Sequence, residues 1–340
     1  MSRIDEFRLM AKVARMYYTQ GLRQTEICQR LNIHQSTVSR VLSRAEREGI
    51  VRTTVSLPPG THTEVEEALQ TAFALDEAVV VDSIDDEGQI ARDVGAAAAF
   101  YVENTLRAGE IIGISSWSAA LLAMVNAMHP SQPFKHTKVV QILGGVGSPN
   151  AEVHAAQVTR RLASLIGAEA TLLAAPGVVG SKAARDILLQ DRFVREALDL
   201  FSKVTLALVG IGATEPSRAL ASSGNVFSPE EVRQLAAKGA VGDICLRFFD
   251  IDGGPVITPL TERVISMELD QLRAVRRVVA LAGGRRKKSA IRGALAGKWI
   301  NVLITDLASA ELLLASDDRA PSADSPVRAS ARAREKARVR

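Results

Sequence analysis

The sequence predicts an α/β protein in two parts: a small helical N-terminal module, then a larger domain on a mostly parallel, Rossmann-like sheet. Three observations carry this. Residues 23–42, RQTEICQRLNIHQSTVSRVL, hold two short helical patterns joined at Asn32, the spacing of a helix-turn-helix. LPPG at 57–60 breaks any helix, because two prolines and a glycine cannot continue one. Beyond it, near-continuous runs of Val, Ile and Leu alternate with helical patterns, as strands covered on both faces require.

The N-terminal module is expected to span 1–56 and to be winged-helix-like, with 57–60 as linker. Its first helix places Ile4, Phe7, Leu9, Met10, Val13, Ala14 and Tyr17 at helical spacing, and Gly21 ends it. A helix-turn-helix needs a small residue inside its first helix, a residue tolerant of positive φ at the turn, and a buried aliphatic set. Cys28 is small and modestly hydrophobic. Asn32 is, after glycine, among the residues that best tolerate the left-handed conformation. Ile27, Leu31, Ile33, Val38, Val41 and Leu42 supply the aliphatics.

The second domain is expected over 61–316. Its strands read EAVVV (77–81), EIIGI (110–114), KVVQIL (138–143), ATLLAA (170–175), VTLALVGI (204–211), RRVVALA (276–282) and INVLIT (300–305). Ser118–Met128, Glu152–Ile166, Pro229–Lys238 and Lys288–Leu295 are among the intervening helical patterns. CLRFFDIDGGPVI (245–257) differs: two short apolar runs flank Asp252-Gly253-Gly254, a hairpin-type turn signal that would also account for Asp250 and Asp252. Residues 317–340, rich in Ala, Arg, Ser and Asp, read as a disordered basic tail.

Composition narrows the function. Residues 1–56 hold ten Lys and Arg against five Asp and Glu, residues 317–340 hold seven against four, and 57–316 therefore holds 25 against 29. A basic module on a mildly acidic body points to a polyanion partner for the module alone. Cys28 and Cys245 form no CxxC, which argues against a disulfide framework or a zinc site and fits a reducing cytoplasm. No apolar run reaches 18 residues, so no transmembrane helix or membrane partner is expected. The charged N-terminus MSRIDEFRLMAK argues against a secretory signal. No cofactor or metal motif is present.

The helix beginning near Gln35 would present Gln35, Ser36, Thr37, Ser39 and Arg40 to the major groove of DNA. Gln bonds adenine and Arg bonds guanine in a bidentate way, while Ser and Thr reach bases or phosphates. Arg44, one turn beyond Arg40, is better placed for backbone phosphate. The alternative is an ordinary helical pair in a protein–protein module.

In the body, EIIGISSWSAALLAMV (110–125) is strand, serine loop, then helix. Ligands of parallel sheets bind beyond the carboxyl ends of the strands. Ser115, Ser116 and Ser118 place hydroxyl and N–H groups there, and Trp117 could cover a sugar face. A serine cap beside a core tryptophan is the competing reading. LGGVGS (143–148) offers Gly144 and Gly145 for close backbone approach, with His154 on the next helix. Asp243 in GAVGDI follows a glycine, where a carboxylate could accept sugar hydroxyls or merely cap a turn. AGGRRKKSAI (282–291) puts Arg285, Arg286, Lys287 and Lys288 at a helix N-terminus, where basic charge opposes the helix dipole unless an anion meets it. A solvated charge run is the alternative there.

Taken together, the basic helix-turn-helix and the motifs GISSWSAALL, GGVG, GAVGDICLRFFDIDG, VVALAGG and INVLITD resemble the SorC family of sugar-responsive bacterial transcriptional regulators over about residues 5–315. The resemblance implies a ligand domain of the glucosamine-6-phosphate deaminase, ribose-5-phosphate isomerase and CoA-transferase type, without the enzymes' chemistry. It implies a homo-oligomer, dimer or tetramer, whose affinity for operator DNA is set by a sugar, sugar alcohol or sugar phosphate. In such proteins the serine loop and a lysine after the AGG strand hold phosphate, here Ser115–Ser118 and Lys287. The acidic residue of the VGD motif, here Asp243, touches the sugar, and His154 matches a polar effector-contacting position. Some phosphate-binding members carry arginine just before the GG of the second loop; Leu143 stands there in this chain.

A sugar-phosphate isomerase or deaminase carrying a DNA-binding module is the other reading. That chemistry needs a general base, and Asp243 is the one candidate at a strand end.

Overall fold

The computed structural model describes residues 3–51, 61–145, 149–214 and 228–315. The chain falls into two compact units, Met1–Pro59 and Gly60–Arg340.

In the first unit, helix α1 (Arg3–Ala14) widens into one π turn, Arg15–Thr19, where the Gln20 N–H reaches back five residues to Arg15 O at 3.0 Å. Gly21, with φ of 68°, turns the chain out of it. Helices α2 (Gln24–Leu31) and α3 (Gln35–Arg47) follow. Asn32 adopts φ 51°, ψ 48°, the left-handed conformation, and its N–H donates to Cys28 O. The Ile33 N–H shares that carbonyl at 3.2 Å, so the turn closes on the residue the motif requires to be small. Val13, Met16, Ile27, Val38 and Leu42 form the core beneath, with Cys28, Leu31, Ile33 and Val41 packed at its edge. The Tyr18 hydroxyl donates to Glu46 Oε1 at 2.6 Å and fastens the π turn to α3. Among the described residues this unit has no strand. The residues where a wing would follow, the 57–60 linker and the 317–340 tail all lie outside the described residues.

Among the described residues, the second unit has ten strands: β1 (Glu77–Val81), β2 (Ile111–Ile114), β3 (Lys138–Gln141), β4 (Glu169–Thr171), β5 (Leu206–Gly210), β6 (Gly212–Ala213), β7 (Gly242–Ile244), β8 (Arg247–Phe249), β9 (Arg277–Leu281) and β10 (Val302–Asp306). Seven of them form one sheet in the order β1-β10-β9-β5-β2-β3-β4. Every neighbouring pair in it is parallel. The other three, β6-β7-β8, form a small antiparallel sheet. Apolar clusters cover both faces of the large sheet, which is why its strands read as unbroken Val, Ile and Leu.

Strand order decides where a ligand fits. From β2 the chain runs outward through β3 to β4, then returns to lay β5 against the other side of β2 and continues to β9 and β10. The order therefore reverses between β2 and β5, and the loops leaving their carboxyl ends part there.

Two segments depart from the sequence reading. Of ATLLAA (170–175) only Ala170 and Thr171 are strand, at the end of the three-residue edge strand β4. After Thr171 the chain bends so that Ala175 O accepts the Gly145 N–H at 2.9 Å, while Leu173 and Ala175 stay buried. In 245–257 the Asp252–Gly254 turn is present: the Asp250 N–H reaches Gly254 O at 2.9 Å, and the Val256 N–H reaches Phe248 O at 2.8 Å. The main antiparallel pair is instead β7 with β8, joined by a two-residue turn at Cys245 and Leu246. Both carry positive φ, 54° and 61°. Such turns ordinarily use Asn-Gly, so nothing in the two side chains announces this one.

Asn32 yields a test. Asn32→Val puts a β-branched side chain in the left-handed region, where that conformation costs an ordinary residue about 1–2 kcal/mol. Asn32→Val is expected to lower the stability of the N-terminal unit by that amount in denaturant melts. Asn32→Gly is expected to leave it unchanged.

Candidate functional site

In the N-terminal unit, the residues expected to face DNA lie at the start of α3. His34 is extended, and α3 starts at Gln35, with the Thr37 N–H donating to His34 O at 2.9 Å. Val38, Leu42 and Ala45 face the core. Gln35, Ser36, Ser39 and Arg40 are exposed on the first turns, and Thr37 is half-buried beside them. Arg44 is already engaged, to Glu6 at 3.0 Å and Glu48 at 3.7 Å. These pairs are exposed and individually weak, so a phosphate could displace them.

In the second unit, the serine loop leaves β2 at the reversal point. The Ser115 N–H continues the sheet by donating to Leu208 O at 3.0 Å. Ser118 caps helix Ala119–Ala127, its hydroxyl accepting the Leu121 N–H at 3.3 Å. Gly210, at the end of β5, lies so close that a Cβ there would sit 2.6 Å from Ser118 Cβ. Trp117 is half-buried against the core rather than open like a free sugar platform. The Ser116 hydroxyl and the Trp117 indole N–H are buried and lack a hydrogen-bond partner. Buried polar groups seldom stay unpaired, because each forgoes its bond to water.

Asp243 arrives from β7, which pairs with β6 directly after β5; Gly212 stands opposite it. A Cβ on Gly212 would lie 2.1 Å from Asp243 Oδ1, so only glycine lets the backbone come this near the carboxylate. Asp243 Oδ2 accepts the Leu246 N–H at 2.9 Å, a bond the Cys245–Leu246 turn creates. The Cys245 thiol meets the Ser115 hydroxyl, and burial pushes it up to about 12, which keeps it an inert thiol. Burial also pushes the Asp243 carboxyl up to about 6, against the opposing pull of the Leu246 N–H and the Lys287 charge. Lys287 is lowered by burial, with Asp243 and Glu87 pulling it back up. The two charges thus face one another in a setting that solvates both poorly.

The basic run around Lys287 divides. Arg285 meets Asp85 at 3.4 Å and Arg286 meets Glu87 at 2.9 Å, both on the surface. Lys287 alone is drawn toward Asp243. The loop is held from behind: the Gly284 N–H donates to Asp306 Oδ2 and Ser309 Oγ, each at 2.8 Å.

The structure therefore brings together Ser115, Ser116, Trp117, Ser118, Asp243 and Lys287, and adds Gly212, Cys245 and Asp306. Asp306 and Cys245 lie within the motifs INVLITD and GAVGDICLRFFDIDG, but the sequence singled out neither of them, nor Gly212, as a site residue. The Gly144 and Gly145 N–H groups are already engaged within the protein. They donate to Ile265 O at 3.1 Å and Ala175 O at 2.9 Å, and a Cβ on Gly144 would lie 2.6 Å from Ala175 O. The close approach expected there is between two protein backbones. His154 lies on helix Pro149–Leu165, and its side chain falls outside the described atoms.

The Asp243 shift has a definite sign. Its pKa rises from 3.8 to about 6 on folding, so the folded state holds the proton more tightly across that window. The carboxylate therefore destabilises the fold progressively as pH rises from about 4 to 6, and fully above it. Asp243→Asn is expected to gain on the order of 3 kcal/mol at pH 7 and to lose that gain near pH 4. Urea melts at the two pH values measure it.

Comparison with known proteins agrees with the two-part architecture. The Sugar-bind family model, a sugar-binding domain, matches residues 58–315, and a homeodomain-like model matches residues 8–53. The sorbitol operon regulator of Klebsiella pneumoniae is 33% identical over 320 residues, covering 92% of this chain and 100% of that protein. The deoxyribonucleoside regulator of Bacillus subtilis is 32% identical over 311 residues, covering 91% of this chain and 98% of that protein. The crystal structure of the full-length Klebsiella regulator superposes with a TM-score of 0.70 over 91% of this chain and 99% of that one. With a helix-turn-helix ahead of a parallel-sheet ligand domain, the chain belongs to the SorC family of sugar-binding transcriptional regulators.

Proposed function

We propose that a small carbohydrate seated at the carboxyl ends of β2 and β5 sets the affinity of α3 for operator DNA, within a homo-oligomer. The observation that carries this reading is the buried, unpartnered Ser116 hydroxyl in the same crevice as the Asp243–Lys287 couple. Hydroxyl, indole N–H, carboxylate and ammonium converge there, which is the donor and acceptor mixture a polyol or sugar matches. The relatives' names speak of sorbitol, deoxyribonucleosides and erythritol. An effector of that size class, with or without a phosphate, suits the site.

Regulation needs only modest coupling, about 1–3 kcal/mol between effector and DNA. In an oligomer this can come from geometry alone. Half-sites on one face of DNA sit about 34 Å apart or a multiple of that, so respacing two copies of α3 changes affinity without altering any base contact.

The enzyme reading would use Asp243 as general base, and a carboxyl near 6 is in the working range of one. The relatives are named as regulators, which favours the non-enzymatic role. Incubation with sugar phosphates is expected to give no turnover; turnover that disappears in Asp243→Ala would reverse the choice.

Two substitutions separate the modules. Arg40→Ala is expected to weaken operator binding at least tenfold while effector-induced thermal stabilisation survives. Lys287→Ala is expected to do the reverse for an anionic effector. Loss of both activities in either folded variant would contradict the two-module reading. A thermal-shift screen of sugars, sugar alcohols and their phosphates identifies the effector, since binding raises apparent stability by mass action.

A further inference from the structure

Because the strands are parallel, the amino ends of β1, β9 and β10 lie at the end of the sheet opposite the serine loop and Asp243. A cleft of about 450 Å³ opens there, lined by Arg107, Arg276, Arg277 and Tyr101 together with Asp76 and Glu77.

Formal charge in this cleft is close to balanced, but hydrogen-bonding capacity is not. Glu110, 5% exposed, accepts from Arg276 Nη2 at 3.2 Å and from Arg277 Nη2 at 3.1 and 3.2 Å. Arg277 Nη1 donates to Thr105 O at 3.2 Å. Arg277 Nε is buried and donates to nothing. Arg107 is exposed, and its side chain makes no ion pair among the described residues. The acids, by contrast, are already served. Asp76 Oδ2 accepts from Asn301 Nδ2 at 2.8 Å, and Glu77 lies against the Tyr101 hydroxyl, which Arg277 also reaches. Each guanidinium carries five N–H groups, so most of the donors here remain unspent.

The surroundings favour negative charge too. Lys203 and Lys298, exposed and without an ion pair among the described residues, stand just ahead of β5 and β10 at the same end. Together with the arginines they would draw an anion toward the cleft.

We propose that this cleft is a second ligand site, which takes a small oxyanion, phosphate or a phosphomonoester, on Arg277 Nε, Arg276 and Arg107. The planar fork of a guanidinium matches two oxygens of such a group at once. The site shares no residue with the effector crevice, so it stands or falls independently of the function proposed above.

The test uses the full-length chain carrying Lys287→Ala, which removes the effector site's ammonium. Inorganic phosphate and glycerol phosphate are titrated separately in thermal-shift experiments, with chloride at matched ionic strength as reference. Saturable stabilisation beyond chloride is expected to persist in Lys287→Ala. Its midpoint is expected to move at least tenfold higher when Arg107→Ser and Arg276→Ser are combined, both being surface changes that leave the Glu110–Arg277 pair in place. Arg277→Lys keeps the charge but deletes Nε, and is expected to weaken binding too. Saturation by both compounds assigns the phosphate group as the ligand; saturation by glycerol phosphate alone assigns the monoester. Loss of saturation in Lys287→Ala alone, an unchanged midpoint in the double serine variant, or a response matched by chloride would each overturn the proposal.

Discussion

The reversal of strand order between β2 and β5 is the constraint on which the rest depends. Two adjacent parallel strands whose following loops leave in opposite directions must open a crevice at their carboxyl ends. The serine loop is one lip of it, and Gly210–Gly212 is the other. Everything else is hung on that second lip. β6 follows β5 at once and pairs with β7, which places Asp243 directly against Gly212. Gly242, one residue earlier, admits the helix that follows Lys287: a Cβ there would lie 2.5 Å from Ala290 Cβ. Carboxylate and ammonium thus come within reach of each other's charge through two close approaches that only glycine permits.

Much of this was legible in the sequence, and the limits have physical causes. Strands covered on both faces give a continuous apolar run, so six of the seven sheet strands showed plainly. The seventh, ATLLAA, did not behave, because an edge strand has one partner and its last residues were claimed by Gly145 and by the core. The serine loop and Lys287 were legible because hydroxyl and basic groups beside a helix start are chemically conspicuous. Gly144 and Gly145 were conspicuous as a glycine pair after a strand, and what their backbone approaches here is protein, since a glycine reports close approach without saying of what. The Cys245–Leu246 turn was invisible: its conformation is imposed by β7, β8 and the Asp243 carboxylate, and a leucine there advertises nothing.

That turn carries a cost that locates function. Two consecutive buried non-glycine residues at positive φ are sustained only because the surrounding structure leaves no alternative. Their conformation aims the Leu246 N–H at Asp243 and seats the Cys245 thiol on Ser115. Buried charge is costly in the same way: Asp243 and Lys287 both shift toward neutrality because protein replaces water around them. Local strain and poor solvation at one point of an otherwise regular α/β domain fit the effector crevice proposed above.

On the function proposed above, occupancy of the crevice and DNA affinity of α3 form one linked equilibrium. The direct test is the effector dissociation constant of the full-length protein, measured free and saturated with operator, beside the operator dissociation constant measured without and with effector. Linkage requires both pairs to change by one common factor, between about fivefold and 150-fold for coupling of the usual size. A factor of one in both pairs, with the two ligands still binding, would show that the crevice and the helix-turn-helix work independently and would contradict the account.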